Sequence, residues 1–318
     1  MKLNNTFIIV IIAAIGLYAI FLMFSDLSEV FGKLKDLKIE FLPIILLLGS
    51  SGWMILFIRW NLLLKHSNVN LPVKENLKIY LAGFALAVTP GKLGEFLKSQ
   101  LLKTKFGIPR KITAPIILVE RLYNFIGIVI ISIMGIWYFK LISYVIIATI
   151  MLLAISFTLI SSKQIFQKFL VWLSKIKFMS KFALSLSESY DVVRKSTRGL
   201  IFIYATSLSV GFWFIESLIA YFVLLSFGIN GLKFLNVIPT YTSSIILGAA
   251  SFLPEGIGIV EGSLAGLLAL QGVDISVALA LVVLIRIFTL WYNVLVGFIA
   301  LKMVLGFSSN SFVSEKID

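Results

Sequence analysis

Eight apolar runs divide this chain, at about residues 7–24, 41–58, 76–89, 112–138, 142–160, 201–226, 236–253 and 275–303. A helix rises 1.5 Å per residue and a bilayer core is about 30 Å thick, so runs of about 18 residues or more read as membrane spans. A soluble domain cannot hide this load. Of 318 residues, 59% are hydrophobic and 14% charged, and the mean hydropathy is +1.03. The longest stretch without a clear span, 161–199, is too short for a sizeable soluble domain. Cys is absent, which excludes disulfides and thiol chemistry. The one His, His66, follows an apolar run and reads as interfacial. Neither a metal site nor a cofactor is expected. The first run follows Lys2, Asn4 and Asn5 and carries no small-residue cleavage site, so it reads as an uncleaved span.

Two runs behave differently. The stretch FALAVTPGKLGEF breaks at Thr89-Pro90-Gly91, and Lys92 and Glu95 follow at once. The run before it is too short to cross. The run 236–253 likewise ends at Pro254. A proline pushes the residue before it away from helix, and Gly91, Gly94, Gly256 and Gly258 allow tight turns. Irregular backbone at membrane depth survives only where protein or a watery cavity satisfies it.

Basic residues orient the spans. The net charge is +13, from 28 Lys+Arg against 15 Asp+Glu. Segment 161–199 carries Lys163, Lys168, Lys175, Lys177, Lys181, Arg194, Lys195 and Arg198, which places it in the cytoplasm. Segment 98–111, with Lys98, Lys103, Lys105, Arg110 and Lys111, belongs on the same side. Loop 25–40 offsets its lysines with acids and suits the outside. These assignments agree with a cytoplasmic N-terminus only if 76–103 and 236–271 each enter and leave by one face. The expected fold is therefore an all-α polytopic membrane protein with six full spans and two re-entrant helical hairpins, multi-pass in the cell membrane, both termini cytoplasmic. Residues 161–182 place apolar side chains at helical spacing among lysines, which predicts an interfacial helix on the anionic inner leaflet. With no water-exposed basic domain, nucleic acid is not an expected partner.

The two breaks echo one another. One reads Pro90, Gly94, Glu95, Gly107, Glu120-Arg121; the other Pro254, Gly258, Glu261, Gly272, Arg286. Gly107 to Arg121 and Gly272 to Arg286 both span 14 positions, and the prolines lie 164 apart. With the hairpins on opposite faces, 1–140 (hairpin 76–103) and 141–318 (interfacial helix 161–182, hairpin 236–271) form an inverted repeat. Such repeats place substrate at the midplane, where broken helices meet.

Charges inside the membrane single out the site. Arg121 lies roughly 15 Å into its span at helical rise, and Arg286 at similar depth from the other face. A charge at the centre costs roughly 2.5–3.5 kcal/mol, so each needs a partner. Glu95 and Glu261 are the natural ones. Arginine and helix N-termini both suit phosphate, and Lys92 and Lys98 can draw anions from the inner leaflet. Lys92, Glu95, Arg121, Glu261 and Arg286 are thus the candidate substrate-binding residues. Pro90, Gly91, Gly94, Pro254, Gly256 and Gly258 shape the tips. Arg59, Lys98, Glu120, Asn124, Glu216 and Glu255 are secondary candidates; Arg59 is expected near an interface, where it can snorkel. The competing reading makes Glu95–Arg121 and Glu261–Arg286 structural bridges that pin hairpins to spans.

Arg59-Trp60, Thr89-Pro90-Gly91-Lys92-Leu93-Gly94-Glu95, Glu120-Arg121, Pro254-Glu255-Gly256-Gly258 with Glu261, and Arg286 together resemble the flippase-like membrane region of lysylphosphatidylglycerol synthases, over about residues 10–305. The resemblance implies an eight-segment bundle that moves lipids between leaflets. In two-part relatives the cargo is aminoacylated phosphatidylglycerol, made by a fused soluble synthase domain. The chain shows no such domain, so lysyl transfer by it is not expected. Some archaeal relatives are linked to glycosylation of lipid carriers, which adds polyprenyl-phosphate sugars as cargo. The expected function is a flippase for a phosphate-bearing lipid, working with a separately encoded synthase or glycosyltransferase. The alternative is a membrane component of a lipid-modifying or glycosyl transferase system, as enzyme or as scaffold docking through 161–199. Against an enzyme, Asp26, Asp36, Asp191 and Asp274 are isolated and form no paired-carboxylate metal motif.

Overall fold

A computed structural model describes residues 37–89, 94–133, 140–175, 189–251 and 253–306. The first apolar run, the tip residues Pro90, Gly91 and Lys92, and residues 176–182 of the amphipathic stretch lie outside the described residues. Every regular element among the described residues is helical. In chain order these are α1 (Leu42–His66), α2 (Val73–Ala82), α3 (Leu97–Phe106), α4 (Arg110–Ser132), α5 (Lys140–Ser161), α6 (Lys163–Ser174), α7 (Leu200–Ser226), α8 (Phe234–Ala250), α9 (Ile259–Ala269), α10 (Ile275–Arg286) and α11 (Tyr292–Leu305).

Four stretches are long and apolar enough to cross a membrane: Ile39–His66, Arg110–Ser132, Leu200–Ser226 and Ile275–Leu305. Their limits follow local chemistry. Pro43 sits in the first turn of α1, where its missing N–H removes no helical bond. Lys65 and His66 close that helix at its negative end. Asp274 caps α10 by accepting from the N–H groups of Ser276 and Val277. The last crossing is one 31-residue run, widened by a π turn over Ile287–Trp291.

The second proline stretch does not sit inside a crossing helix, and the described residues on either side of Pro90 belong to separate helices. The first separates α2 from α3, each of 10 residues, or about 15 Å of rise apiece. The second separates the 17-residue α8 from the 11-residue α9. Helices α5 and α6 are bent by 106° at their junction, so the amphipathic sequence of α6 does not continue α5.

The chain forms two compact units. One joins 71–98 to 248–306, so both proline breaks belong to it. The other holds 38–70 and 99–247. In that second unit α7 packs on α1 and α4. A Cβ on Gly127 would fall 2.7 Å from Ser209, so glycine lets α4 and α7 meet backbone to backbone. Trp60 and Leu63 of α1, Ile116 and Tyr123 of α4 and Ile219 of α7 are buried. Leu47, Met54, Ile203 and Phe214 point outward, which suits a surface solvated by lipid.

Candidate functional site

The second proline break is a tight cradle. Pro254–Gly256 form one turn of 3₁₀ helix, and α9 starts after Gly258. Gly256 and Gly258 have φ of +65° and +88°, the left-handed region that glycine enters without strain. A Cβ on Gly256 would stand 2.6 Å from the Cα of Gly248, so only glycine lets the two arms touch. Glu255 is also left-handed, at φ +49°, a conformation that costs an L residue about 1–2 kcal/mol. Its carbonyl oxygen accepts from Arg286 Nη2 at 2.8 Å. Arg286 Nε donates to Glu261 Oε1 at 2.6 Å. The other oxygen, Glu261 Oε2, accepts from the Gly258 N–H at 2.6 Å. Glu261 is wholly buried and Arg286 almost so. One carboxylate thus caps the first turn of α9 and neutralises a guanidinium from α10, and that guanidinium holds the strained turn. This is the Glu261–Arg286 pairing expected from the sequence. The π turn begins on the next residue, Ile287.

The first break is closed by local contacts. Thr89 Oγ1 donates to the Leu86 carbonyl at 2.8 Å and accepts from the Gly94 N–H at 2.6 Å. A Cβ on Gly94 would lie 2.2 Å from the Leu86 carbonyl oxygen. Beyond it, Glu95 pairs with Lys98, Oε2 to Nζ 3.5 Å. Lys98 is only 2% exposed, and its ammonium lies 4.8 Å over the Tyr80 ring. Gly83 makes room for the lysine stem, since a Cβ there would press on it at 2.7 Å. α11 covers this break: a Cβ on Gly297 would meet the Ala85 nitrogen at 2.2 Å. The two breaks join through one apolar cluster, Ala87 and Val88 from the first with Ile257 from the second, closed by Leu290, Trp291 and Val294.

The other unit holds a polar seam along one buried side of α7. Arg59 does not snorkel; it is 1% exposed. Its Nη1 donates to Asn124 Oδ1 at 2.6 Å and to Ser209 Oγ at 2.7 Å. Its Nη2 lies 3.7 Å from Glu120 Oε1. The physical reason for this correction is that Gly127 and Ser209 bring α4 and α7 close, leaving Arg59 facing two acceptors instead of the membrane surface. Arg59 Nε is buried with no partner among the described residues. Trp213 Nε1 donates to the Asn124 carbonyl at 2.9 Å. Two turns along α7 from Ser209, Glu216 Oε2 accepts from Tyr241 Oη at 2.8 Å.

The sequence-derived candidates therefore divide. Glu95, Lys98, Glu255, Gly256, Gly258, Glu261 and Arg286 gather around the breaks of one unit. Arg59, Glu120, Asn124 and Glu216 belong to the seam of the other, where Arg121 sits half-buried on α4 beside Glu120. Sequence reasoning missed Tyr80, Tyr241 and Ser209. The run Thr240-Tyr241-Thr242-Ser243-Ser244 was the available signal: five consecutive polar residues in an apolar helix, all of them buried.

Buried carboxylate–cation pairs at helix breaks give this architecture two options. They can hold the breaks shut, or exchange their carboxylate for another anion. The family described as the lysylphosphatidylglycerol synthase TM region matches residues 9–297. Three archaeal relatives carry the description UPF0104 membrane protein. That of Methanocaldococcus jannaschii is 26% identical, covering 70% of this chain and 94% of its own. That of Pyrococcus horikoshii is 25% identical, covering 91% and 94%. That of Methanothermobacter thermautotrophicus is 24% identical, covering 87% of each chain. With its multi-pass helical architecture and a family match over most of its length, the chain belongs to the membrane-region family of the lysylphosphatidylglycerol synthases.

Proposed function

We propose that this protein moves a phosphate-bearing lipid between leaflets: a phospholipid, an aminoacyl-phospholipid or a polyprenyl-phosphate-linked sugar. The observation that carries the reading is the packing of two helix breaks in one unit, each with a buried carboxylate–cation pair beside it. We read α2–α3 and α8–α9 as re-entrant hairpins from opposite leaflets. With six full crossings they would complete an inverted repeat of 1–140 and 141–318, both termini cytoplasmic. An interleaved repeat of that kind brings its two hairpins together, as broken helices meet in transporters.

The mechanism follows from the pairs. Lys92 raises the local concentration of anionic head groups. The phosphate then takes the place of Glu95 on Lys98, or of Glu261 on Arg286, and Arg121 serves as a further guanidinium along the route. A phosphate offers the same oxygen geometry as a carboxylate, so the exchange keeps every cation satisfied. Each Glu re-forms its pair once the lipid leaves, which returns the breaks to their closed form. The lipid itself would come from a separately encoded synthase or glycosyltransferase.

Native mass spectrometry of gently extracted protein tests this. A retained phosphate-bearing lipid, lost on Lys98→Gln or Arg121→Gln, is the expected result. Retention of neutral lipid alone would overturn the reading.

A further inference from the structure

Helix α6 follows α5 after a sharp corner, and the corner is fastened from both sides. The Ile165 N–H reaches Ser162 Oγ at 3.4 Å, and the Phe166 N–H donates to the Ser162 carbonyl at 3.0 Å, so α6 has its own capped start. Tyr190 clamps the two helices. Its Oη donates at 3.1 Å to the carbonyl of Ile160, near the end of α5. Its ring lies 4.6 Å from that of Phe166.

The apolar residues of α6 fall into two stripes with different surroundings. Phe166 and Leu170, four apart, are turned to the protein: Phe166 meets Tyr190, and Leu170 is only 8% exposed. Ile165, Phe169 and Trp172 follow one another at steps of four and three, which sets them in one line along the helix. Ile165 is 42% and Trp172 59% exposed. Trp172 stacks on Phe169 with ring centroids 6.0 Å apart. Gln164, Gln167, Lys168 and Lys175 are exposed on the remaining side, together with Val171. No Asp or Glu occurs from 161 to 187, so the helix carries lysines without acids.

The corner sets how this edge meets a bilayer. The 22 residues of α5 rise about 33 Å and carry no charge after Lys140. With α5 upright as one of the six crossings, the 106° bend leaves α6 about 16° from the membrane plane (106 − 90). An apolar edge bearing tryptophan, with lysines beside it, then lies level with the head groups. Lysine stems can run along such an edge while their ammonium groups stay in water.

We propose that the Ile165–Phe169–Trp172 edge of α6 is a binding surface for an anionic lipid leaflet. The edge sinks among the acyl chains, and Lys168 and Lys175 sit on lipid phosphates. Charge without counter-charge and the attitude set by the corner both select a negative lipid surface over a soluble partner. The surface rests on the reading of α5 as a crossing and is independent of lipid movement. Its consequence is that the attachment of α6, and the corner that Tyr190 clamps, respond to the anionic lipid content of the membrane.

The chain has no Cys, so a single introduced cysteine labels one position. Ile165→Cys on the edge and Gln167→Cys on the polar side each carry a fluorescent probe; both positions are exposed. The full chain is placed in phosphatidylcholine vesicles with and without phosphatidylglycerol. Lipids brominated on their acyl chains should dim the probe at 165, and iodide in water should dim the probe at 167. Phosphatidylglycerol should strengthen the quenching by bromine at 165, and salt should weaken it. Lys168→Gln with Lys175→Gln should lower the ratio of inserted to free helix, by about fivefold per lysine. Iodide quenching at both positions would overturn the surface and leave the edge open to a soluble partner. A probe at 165 reached by neither quencher would overturn it too, because protein would cover the edge. Bromine quenching at 165 that ignores phosphatidylglycerol, salt and both lysines would overturn the anionic selectivity. A probe at Ile150, exposed midway along α5, reads that helix separately. Bromine quenching there but not at 165 would mean that α5 crosses while α6 does not bind lipid.

Discussion

The two proline breaks of one unit solve the same problem at different range. Each needs a glycine for closure, a glutamate soon after the turn, and a buried cation for that glutamate. At the second break the cation is Arg286, 25 residues beyond Glu261, bonded at 2.6 Å and tied also to the Glu255 carbonyl. At the first break it is Lys98, one turn beyond Glu95, at 3.5 Å and over an aromatic face. Arginine presents a fixed fork that fastens two elements, whereas lysine offers a compact charge that turns on a flexible stem. We read the second break as a long-range lock and the first, whose Glu95–Lys98 pair spans one turn, as a latch, and we propose that phosphate exchange begins at the latch.

The sharpest way to break this contrast is Arg286→Ala. It strands the carboxylate of Glu261 in the interior and frees a strained turn, so stability should fall by about 3–5 kcal/mol. Thermal unfolding in detergent or nanodiscs reads the loss, and Arg286→Lys should recover only part of it. A loss below about 1 kcal/mol would mean that the second break is no lock. Gly94→Ala comes next. The new methyl would press on the Leu86 carbonyl oxygen from 2.2 Å, and overpacking of that kind costs about 1–3 kcal/mol. Because the latch is local, the damage should stay near α2 and α3, visible as faster hydrogen exchange there with α9 and α10 unchanged. Equal deprotection of both breaks would erase the distinction. The smallest effect is expected for Tyr80→Leu, which removes the ring beneath Lys98 and should cost about 0.5–2 kcal/mol. Its use lies in specificity: it should loosen Lys98, and spectra of labelled lysine should report that without a shift at Arg286.

Much of the architecture was readable from hydropathy because lipid imposes a strict length rule. The expected runs 112–138 and 201–226 became Arg110–Ser132 and Leu200–Ser226, and the short run before Pro90 became the 10-residue α2 and a 3₁₀ turn over Gly83–Leu86. The Glu261–Arg286 pair was legible for a related reason: a guanidinium deep in a span must find an acid, and one stood at the neighbouring break. Arg59 was misread because distance along the sequence to the end of α1 says nothing about lateral packing. Its burial depends on Gly127 and Ser209 bringing two other helices together, information carried by tertiary contacts alone. The Tyr241–Glu216 bond escaped for the same reason, although the buried polar run 240–244 marked α8 as a helix surrounded by protein. Lys98 was weighed as a head-group attractor; that it is buried against Tyr80 could not be read without knowing how Gly83 admits its stem.

The central claim is that the latch at the first break yields its cation to a lipid phosphate during movement between leaflets. Vesicles containing the full chain and a fluorescent anionic phospholipid, treated with a membrane-impermeant quencher, test it most directly. The account predicts that signal from inner-leaflet lipid is lost far faster than in protein-free vesicles, that Lys98→Gln slows this while leaving the fold intact, and that a labelled neutral lipid without phosphate is not moved. Signal loss at the protein-free rate, or equal movement of both lipids unaffected by Lys98→Gln, would contradict it.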